Sequence, residues 1–323
     1  MAEHADFFKY SPAFALFMGM FAFLPDLAGL MLWNVLNWAV LVAAVTKVPA
    51  LSRRQTVFVL LFCLPEMVLS TQASQSNLLM AGLLILAFTN LEGGRPTAAA
   101  LCIVAGTFIK LFAAAGVILF LFYPNKLRFM LAGLFWTVFF LLIPLVAVPA
   151  SELLLQYSNW FALLGKDHSR SAGMSVFAFF SSAGTGFVKR MVLLAGALLL
   201  LLPLLRIRVF RNYLPRLCYL CVILIWIVIF NHKGESPTYV IAMTGCALWG
   251  ATFANRSLVW PVLSLTLLLT SVIKTDLLPR YLRSGMDLNA ICVVMPFLVL
   301  IIILYLIFRS EPDEMRESRQ TTS

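Results

Sequence analysis

The sequence predicts an all-α integral membrane protein in which residues 1–323 form one bundle of transmembrane helices. Hydrophobic residues make up 62% of the chain and charged residues 12%, and the mean hydropathy is +0.94. An average globular domain has about 45–50% apolar and about 25% charged residues. The apolar residues occur in runs that approach the ~20 needed to cross a bilayer as a helix. A membrane β-barrel would instead show short strands of alternating polarity, which the sequence lacks.

About eleven apolar segments follow one another along the chain, and each is predicted to be a helix. Several are shorter than a full span, so some of the transmembrane helices are expected to be short or broken. The segments lie near residues 27–46, 56–71, 77–91, 97–109, 111–123, 129–148, 188–205, 217–230, 238–254, 258–273 and 288–308.

Lys110 lies in the middle of one apolar run, 97–123. A lysine at the centre of a bilayer is costly. We therefore expect the run to break into two short helices that meet at a wet cavity. The alternative is a single tilted helix whose lysine extends its amine to the membrane surface.

Short basic loops predict which helix ends face the cytoplasm, because cytoplasmic loops are enriched in Lys and Arg. With a break at Lys110, these loops fall on one side. The C-terminal tail, 309–323, is then cytoplasmic, whereas 1–26 and 149–187 lie on the outer face. The net charge of +10 is therefore a signal of membrane topology. The basic residues lie in separate loops and form no continuous patch that could bind nucleic acid. The loops are marked by Lys47, Arg53 and Arg54; Lys126 and Arg128; Arg206, Arg208, Arg211 and Arg216; and the tail from Arg309.

Two outer-face segments are predicted to be helices that do not span the membrane. Residues 12–24, bounded by Pro12 and Pro25, suit a half-buried helix. Residues 151–164, SELLLQYSNWFALL, carry apolar side chains at helical spacing with Ser151 as N-cap, and predict a helix on the outer surface. The polar loop that follows, 166–170, either folds over an outward-facing cavity or is a solvated connector.

Ionisable and polar side chains at membrane depth are candidates for function, and here they favour the outer face. A tight turn, NHKGESPTY, follows one apolar helix, with Ser236 as the expected N-cap and Pro237 at the first helical position. The turn TQASQSN begins another helix. The candidates in these and neighbouring stretches are Glu66, Gln75, Asn77, Lys110, His232, Lys233 and Glu235.

These residue types suit the transfer of a group from a phosphate. Glu235 and His232 can act as general base and orienting partner for an attacking hydroxyl, while lysines neutralise a phosphate leaving group. The free N–H groups of the helix that starts at Ser236 also favour an anion. Alternatively, Glu235 is only the ion-pair partner of Lys233 and the turn holds no base.

Four stretches together resemble glycosyltransferase family 87, whose members are membrane enzymes of the GT-C superfamily. They are similar, in order, to the family's aromatic-Tyr-x-Pro segment, which includes Tyr10, its Gln-x-Asn helix start, its Ile-Lys hairpin and its late histidine-containing turn. The stretches are FFKYSPAFALFMGMFAFLPDLAGLMLWNVLN, QASQSNLLMAGLLILAF, GTFIKLFAAAGVILFLF and NHKGESPTYVIAM.

The resemblance implies a bacterial hexosyltransferase that transfers a sugar, often mannose, from a polyprenyl-phosphate donor to a lipid or glycan acceptor. The reaction would invert the anomeric carbon at the outer face of the cytoplasmic membrane, within the cell envelope. Tyr10, Gln75, Asn77, Lys110 and Glu66 would contact substrate, and Lys233 with His232 would hold the donor phosphate. No cofactor is implied, and no carboxylate or histidine cluster has the spacing of metal ligands.

One feature departs from the family pattern. Family members carry their base, an aspartate, in the outer loop after a first transmembrane helix, and this chain begins beyond that helix. Eleven crossings with a cytoplasmic C-terminus also place residue 1 outside. We therefore expect a preceding helix, with Glu235 as the fallback base; without that helix the chain is expected to be an inactive transferase. The alternative is a chain whose N-terminus itself lies on the outer side.

A non-enzymatic transporter or lipid-carrier flippase is the competing hypothesis, with Lys110, Glu66 and the HKGE turn as its substrate site. Transporters of many folds contain repeats with matching broken helices. The sequence shows no convincing repeat, and its polar residues favour one face over the membrane midplane. Both observations favour the enzyme.

Overall fold

The computed structural model describes residues 9–167, 173–183, 186–231, 234–275 and 287–311, and in these ranges it is helical and contains no strand. All eleven apolar segments form helical structure, which confirms the predicted class. The α-helices are α1 Pro12–Gly19, α2 Asp26–Thr46, α3 Arg53–Gln72, α4 Asn77–Glu92, α5 Pro96–Ile109, α6 Lys126–Leu142, α7 Ala150–Asp167, α8 Gly186–Leu201, α9 Tyr213–Ile229, α10 Tyr239–Thr252, α11 Val259–Thr266 and α12 Leu288–Arg309.

Shorter 3₁₀ and π segments extend several of these helices, namely Met20–Phe23, Leu111–Phe122, Ile143–Val146, Val176–Ala183, Leu202–Arg211, Ser236–Thr238, Leu267–Ser271 and Val272–Lys274. With these extensions, five helices are long and apolar enough to cross a membrane, and several others are shorter. The five are Asp26–Thr46, Arg53–Gln72, Lys126–Val146, Gly186–Arg211 and Leu288–Arg309. The protein is therefore a polytopic membrane protein.

The centre of the bundle is buried and mostly apolar, and its outer surface is also apolar. Helices α9 and α10 pack against each other and are buried along almost their whole length. On outer helices the large apolar side chains point away from the protein, as Leu27, Leu134 and Leu198 do with 70%, 63% and 68% of their surface exposed. Lipid chains can cover such side chains at no cost, whereas water cannot.

The predicted basic loops come together at one end of the bundle, which we call the basic end. Arg216 forms two hydrogen bonds to Glu92, from Nε at 2.7 Å and Nη2 at 2.9 Å, and thereby joins α9 to α4. The Tyr123 hydroxyl also donates to Glu92, at 2.5 Å. Arg206 donates to the Phe308 and Ser310 carbonyls at the end of α12. Four stretches distant in sequence, around residues 92, 123, 206–216 and 308–310, are thus joined at this end.

Both segments predicted to be non-spanning helices are helical, with one boundary corrected. Ser11 is the N-cap of α1, accepting from the Phe14 N–H at 3.2 Å, and its hydroxyl donates to the Phe108 carbonyl at 2.5 Å. Helix α7 begins at Ala150, so Ser151 lies inside it and the prediction of Ser151 as N-cap is wrong. The Trp160 indole donates to the Lys9 carbonyl, which holds α7 beside the chain entering α1.

The predicted break at Lys110 is confirmed. Helix α5 ends at Ile109, Lys110 adopts an extended conformation with φ −141° and ψ 119°, and a 3₁₀ helix follows over Leu111–Phe122. An extended residue cannot continue the helical hydrogen-bond ladder. The break therefore turns the Lys110 side chain toward the polar end of the bundle rather than into lipid.

Helices α2 and α4 approach closely at Gly82. A Cβ added there would lie 2.8 Å from Val40 Cγ1 and 3.0 Å from the Val40 carbonyl carbon. Small residues commonly permit this kind of backbone contact in membrane helices.

Gly82→Ala is expected to lower the free energy of unfolding by about 1–3 kcal/mol, because the backbones of α2 and α4 must separate. Gly133→Ala, on α6, is the matched control, since a Cβ at Gly133 meets no atom within 4 Å. Unfolding of the purified protein in mixed detergent micelles measures both variants. Equal stabilities would contradict the close contact.

Candidate active site

A chain of four polar side chains crosses the end of the bundle opposite the basic end. The Lys110 ammonium donates to Asn77 Oδ1 at 2.6 Å, and Asn77 Nδ2 donates to Gln75 Oε1 at 2.7 Å. Gln75 Nε2 then donates to Glu235 Oε2 at 2.9 Å. We call these residues the polar relay. The structure thus brings together four residues that the sequence analysis selected separately.

The turn between α3 and α4 positions Gln75 and Asn77. After the C-cap Ala73, the Ser74 N–H donates to the Thr71 carbonyl and the Gln75 N–H donates to the Ser70 carbonyl. This pair of bonds is the Schellman motif that ends many helices. It requires the left-handed conformation at Ser74, where φ is +50° and glycine is the usual residue. The chain reverses here within few residues and presents Gln75 beside Asn77.

Two side chains of helix α2 form hydrogen bonds with the main chain of this turn and of the first turn of α4. Asn37, which is 2% exposed, accepts a hydrogen bond from the Leu79 N–H in the first turn of α4 at 3.2 Å. The Trp33 indole donates to the Ser74 carbonyl at 2.9 Å. Side chains of α2 therefore satisfy main-chain groups that the turn and the start of α4 would otherwise leave unpaired. This fixes Asn77 relative to α2.

The turn that carries Glu235 is held by main-chain contacts with the segment around Met174. The Met174 N–H donates to the Gly234 carbonyl at 2.6 Å, and the Gly234 N–H donates to Asn231 at 2.8 Å. A Cβ at Gly234 would lie 2.5 Å from the Met174 carbonyl oxygen, so only glycine fits this contact. Glu235 itself is exposed and extended, with φ −109° and ψ 159°.

The start of the following helix differs by one residue from the sequence prediction. Glu235 is the N-cap, and the 3₁₀ segment Ser236–Thr238 precedes α10. The prediction of Ser236 as N-cap is therefore wrong. The proline is still within the first two helical positions, where its missing N–H carries no penalty.

Glu66 lies apart from the polar relay in a buried ion pair. Its Oε1 atom is 2.8 Å from Lys274 Nζ, and the carboxylate side chain is 1% exposed. Lys274 is not predicted as a site residue, because in the sequence it follows an apolar segment directly and resembles the first residue of a loop. Its partner lies 208 residues away in sequence, and no local pattern reveals that pairing.

An apolar cavity of about 310 Å³ lies next to the polar relay, beneath α1. Its wall includes Ile109, which immediately precedes Lys110, and Leu79, in the first turn of α4. Phe14 and Phe17 of α1 form another side. Tyr10 precedes this helix and stacks on Phe14 with ring centroids 4.8 Å apart. The cavity therefore lies among the apolar side chains that adjoin the start of α4 and the end of α5, close in sequence to Asn77 and Lys110.

The remaining candidates divide into two groups. Tyr10 packs on Phe14 of α1, and Glu66 pairs with Lys274, so both lie on elements that neighbour the polar relay. His232 and Lys233 lie outside the described residues, as do residues 168–170 of the polar loop that follows α7. Among the described residues, no group of three or more His, Cys, Asp or Glu side chains is placed to hold a metal ion.

The helix bundle and its polar relay define a polytopic membrane protein with a candidate active site at one end. The family model described as glycosyltransferase family 87 matches residues 7–253, which is more than half of the chain and includes the whole polar relay. The chain belongs to glycosyltransferase family 87, and it is therefore a membrane glycosyltransferase. No curated protein matches the chain.

Replacement of Ser74 tests the turn that positions Gln75. Ser74→Gly is expected to be as stable as the native protein or more stable by up to ~1 kcal/mol, because glycine adopts the left-handed conformation without steric cost. Ser74→Val is expected to lose about 1–3 kcal/mol, since a β-branched residue is strained there. Both variants retain the carbonyl that Trp33 binds. Detergent unfolding compares them, and a glycine variant less stable than the valine variant would contradict the left-handed turn.

Proposed function

We propose that this protein transfers a hexose, with mannose the expected sugar, from a polyprenyl-phosphate donor to a lipid or glycan acceptor. The reaction is proposed to occur at the outer face of the cytoplasmic membrane of a bacterium, with inversion at the anomeric carbon. The observation that carries the proposal is the polar relay, which links a cation to a carboxylate beside an apolar cavity. A lipid-linked sugar phosphate presents the complementary groups.

Lys110 is proposed to bind the donor phosphate. An ammonium group has three N–H donors, and the hydrogen bond to Asn77 occupies one of them. The N-terminal N–H groups of the helical segment that starts at Ser236 also favour an anion. His232 and Lys233 are adjacent in sequence to this turn and are proposed to contribute to the same phosphate site.

The cavity next to Lys110 supports a lipid-linked donor rather than a soluble one. Its volume of about 310 Å³ falls at the lower end of the ~300–1,000 Å³ typical of ligand pockets, and its lining is apolar. A hydrocarbon chain can enter it without desolvating polar groups, whereas a nucleotide would lose hydrogen bonds to water there. The first isoprene units of the donor are proposed to occupy it.

Glu235 is proposed to act as the general base. Its carboxylate takes the proton from the acceptor hydroxyl while that oxygen attacks the anomeric carbon of the donor. The bond from this carbon to the phosphate oxygen breaks, and the polyprenyl phosphate leaves with the electron pair. Gln75 fixes one carboxylate oxygen, Oε2, at 2.9 Å, which limits the orientations of the base.

The arrangement of charge supports an outer-face site. The Lys and Arg side chains of the predicted cytoplasmic loops gather at the basic end, and the polar relay lies at the opposite end of the same helices. Because basic loops are retained in the cytoplasm, the polar relay is proposed to face outward. A polyprenyl-phosphate sugar presented at that face needs no nucleotide-binding domain.

Glu235→Gln is expected to lower kcat by about 10²–10⁴-fold, because an amide cannot accept the proton of the acceptor. The Gln75 contact can persist in this variant, so KM for the donor should change little. Glu152→Gln, which changes an exposed carboxylate on α7, is the matched control and should retain native kcat. The assay follows transfer of mannose from polyprenyl-phosphate-mannose to a native lipid extract. Native turnover by Glu235→Gln would show that the base lies elsewhere.

Lys110→Met is expected to raise KM for the donor by roughly 10–100-fold, since a charge-assisted hydrogen bond contributes about 1.5–3 kcal/mol. Lys126→Met, which removes an exposed lysine at the basic end, should leave KM unchanged. Glycosyl transfer from a nucleotide sugar, together with none from the polyprenyl-phosphate sugar, would overturn the proposed donor.

A further inference from the structure

A second group of linked side chains joins α3 to the segment that ends at Lys274 and to the start of α10, which follows the Glu235 turn. Its centre is the ion pair between Glu66 on α3 and Lys274 after α11, with oxygen and nitrogen 2.8 Å apart and the carboxylate 1% exposed. A buried ion pair is rarely a net source of stability, because both charges lose their hydration. Its presence in an otherwise apolar core therefore requires another explanation.

Lys274 also contacts the start of α10. Its Nζ atom lies 5.1 Å from the centre of the Tyr239 ring, and Tyr239 is fully buried. The Tyr239 hydroxyl donates to the Met174 carbonyl at 2.9 Å, and the Met174 N–H donates to the Gly234 carbonyl at 2.6 Å. A continuous set of contacts thus leads from Glu66 to the turn that carries Glu235.

We propose that Glu66 and Lys274 form a positioning pair that holds the Glu235 turn against Gln75. The pair acts through Tyr239 and the main chain of Met174. This inference rests on the proposed role of Glu235 and assigns Glu66 a task other than contact with substrate. Neither member of the pair is a catalytic residue.

The geometry explains why such a pair would be needed. Helix α3 carries Glu66 and leads directly into the turn with Gln75, while α10 follows directly on the turn with Glu235. The hydrogen bond between Gln75 and Glu235 therefore forms only when the outer ends of α3 and α10 keep their spacing. Lys274 lies between these two ends and attracts a carboxylate on one and an aromatic ring on the other.

Two double variants separate positioning from stability. Glu66→Gln with Lys274→Met removes both buried charges together, which avoids leaving one charge unpaired. Glu92→Gln with Arg216→Met removes the corresponding pair at the basic end and is the matched control. We expect both proteins to fold, and only the Glu66–Lys274 variant to lose kcat, by at least ~10-fold, with KM for the donor nearly unchanged. Lys274→Arg, which retains the charge, should retain most of kcat.

Hydrogen exchange gives a readout that does not need transferase activity. Peptides that begin at least three residues before Met174 and extend to about residue 180 report the Met174 amide, which the Gly234 carbonyl protects. They should exchange at least ~10-fold faster in the Glu66–Lys274 double variant and in Tyr239→Phe, and at the native rate in the Glu92–Arg216 variant. Native exchange in the first two proteins, or native kcat in the first, would overturn the positioning pair. Faster exchange in the double variant, together with a native protein that transfers no sugar, would support the pair and refute the proposed function.

Discussion

The structure depends on the cost of placing the Lys110 ammonium inside an apolar bundle. A charge at this depth must find a partner, and Asn77 supplies one at 2.6 Å. For the contact to form, α5 must end at Ile109 and the α3–α4 turn must reach the same level. Asn37 and Trp33 of α2 hold that turn in place. The position of Lys110 therefore constrains where α3 and α5 end and where α4 begins.

The two ends of the bundle meet different requirements. At the basic end, Arg216, Arg206 and Tyr123 bind a carboxylate and main-chain carbonyls, so each contact fastens two helices. At the other end, the polar relay leaves Glu235 exposed, and a glycine brings a second loop within contact of its turn. The contacts at the basic end therefore tie helices to one another. The other end keeps the Glu235 carboxylate accessible to a ligand, which a transferase site requires.

The sequence predicted the features that depend on single residues or local periodicity. The Lys110 break follows from one charge in an apolar run, and the two non-spanning helices follow from their length and flanking residues. It failed where a boundary or partner is decided by distant contacts. Helix α7 begins one residue before Ser151, and Glu66 pairs with Lys274 across 208 residues. The left-handed Ser74 is also unmarked, because serine has no special preference for that conformation.

The direction of each hydrogen bond in the polar relay is set by its charged ends. Lys110 can only donate, so Asn77 must turn its oxygen toward it and its amide nitrogen toward Gln75. Gln75 then presents its own nitrogen to the carboxylate of Glu235. The two amides are aligned dipoles, and neither can flip without breaking contacts on both sides. The orientation of each amide therefore depends on both charged residues at once, although Lys110 and Glu235 do not contact each other directly in the polar relay.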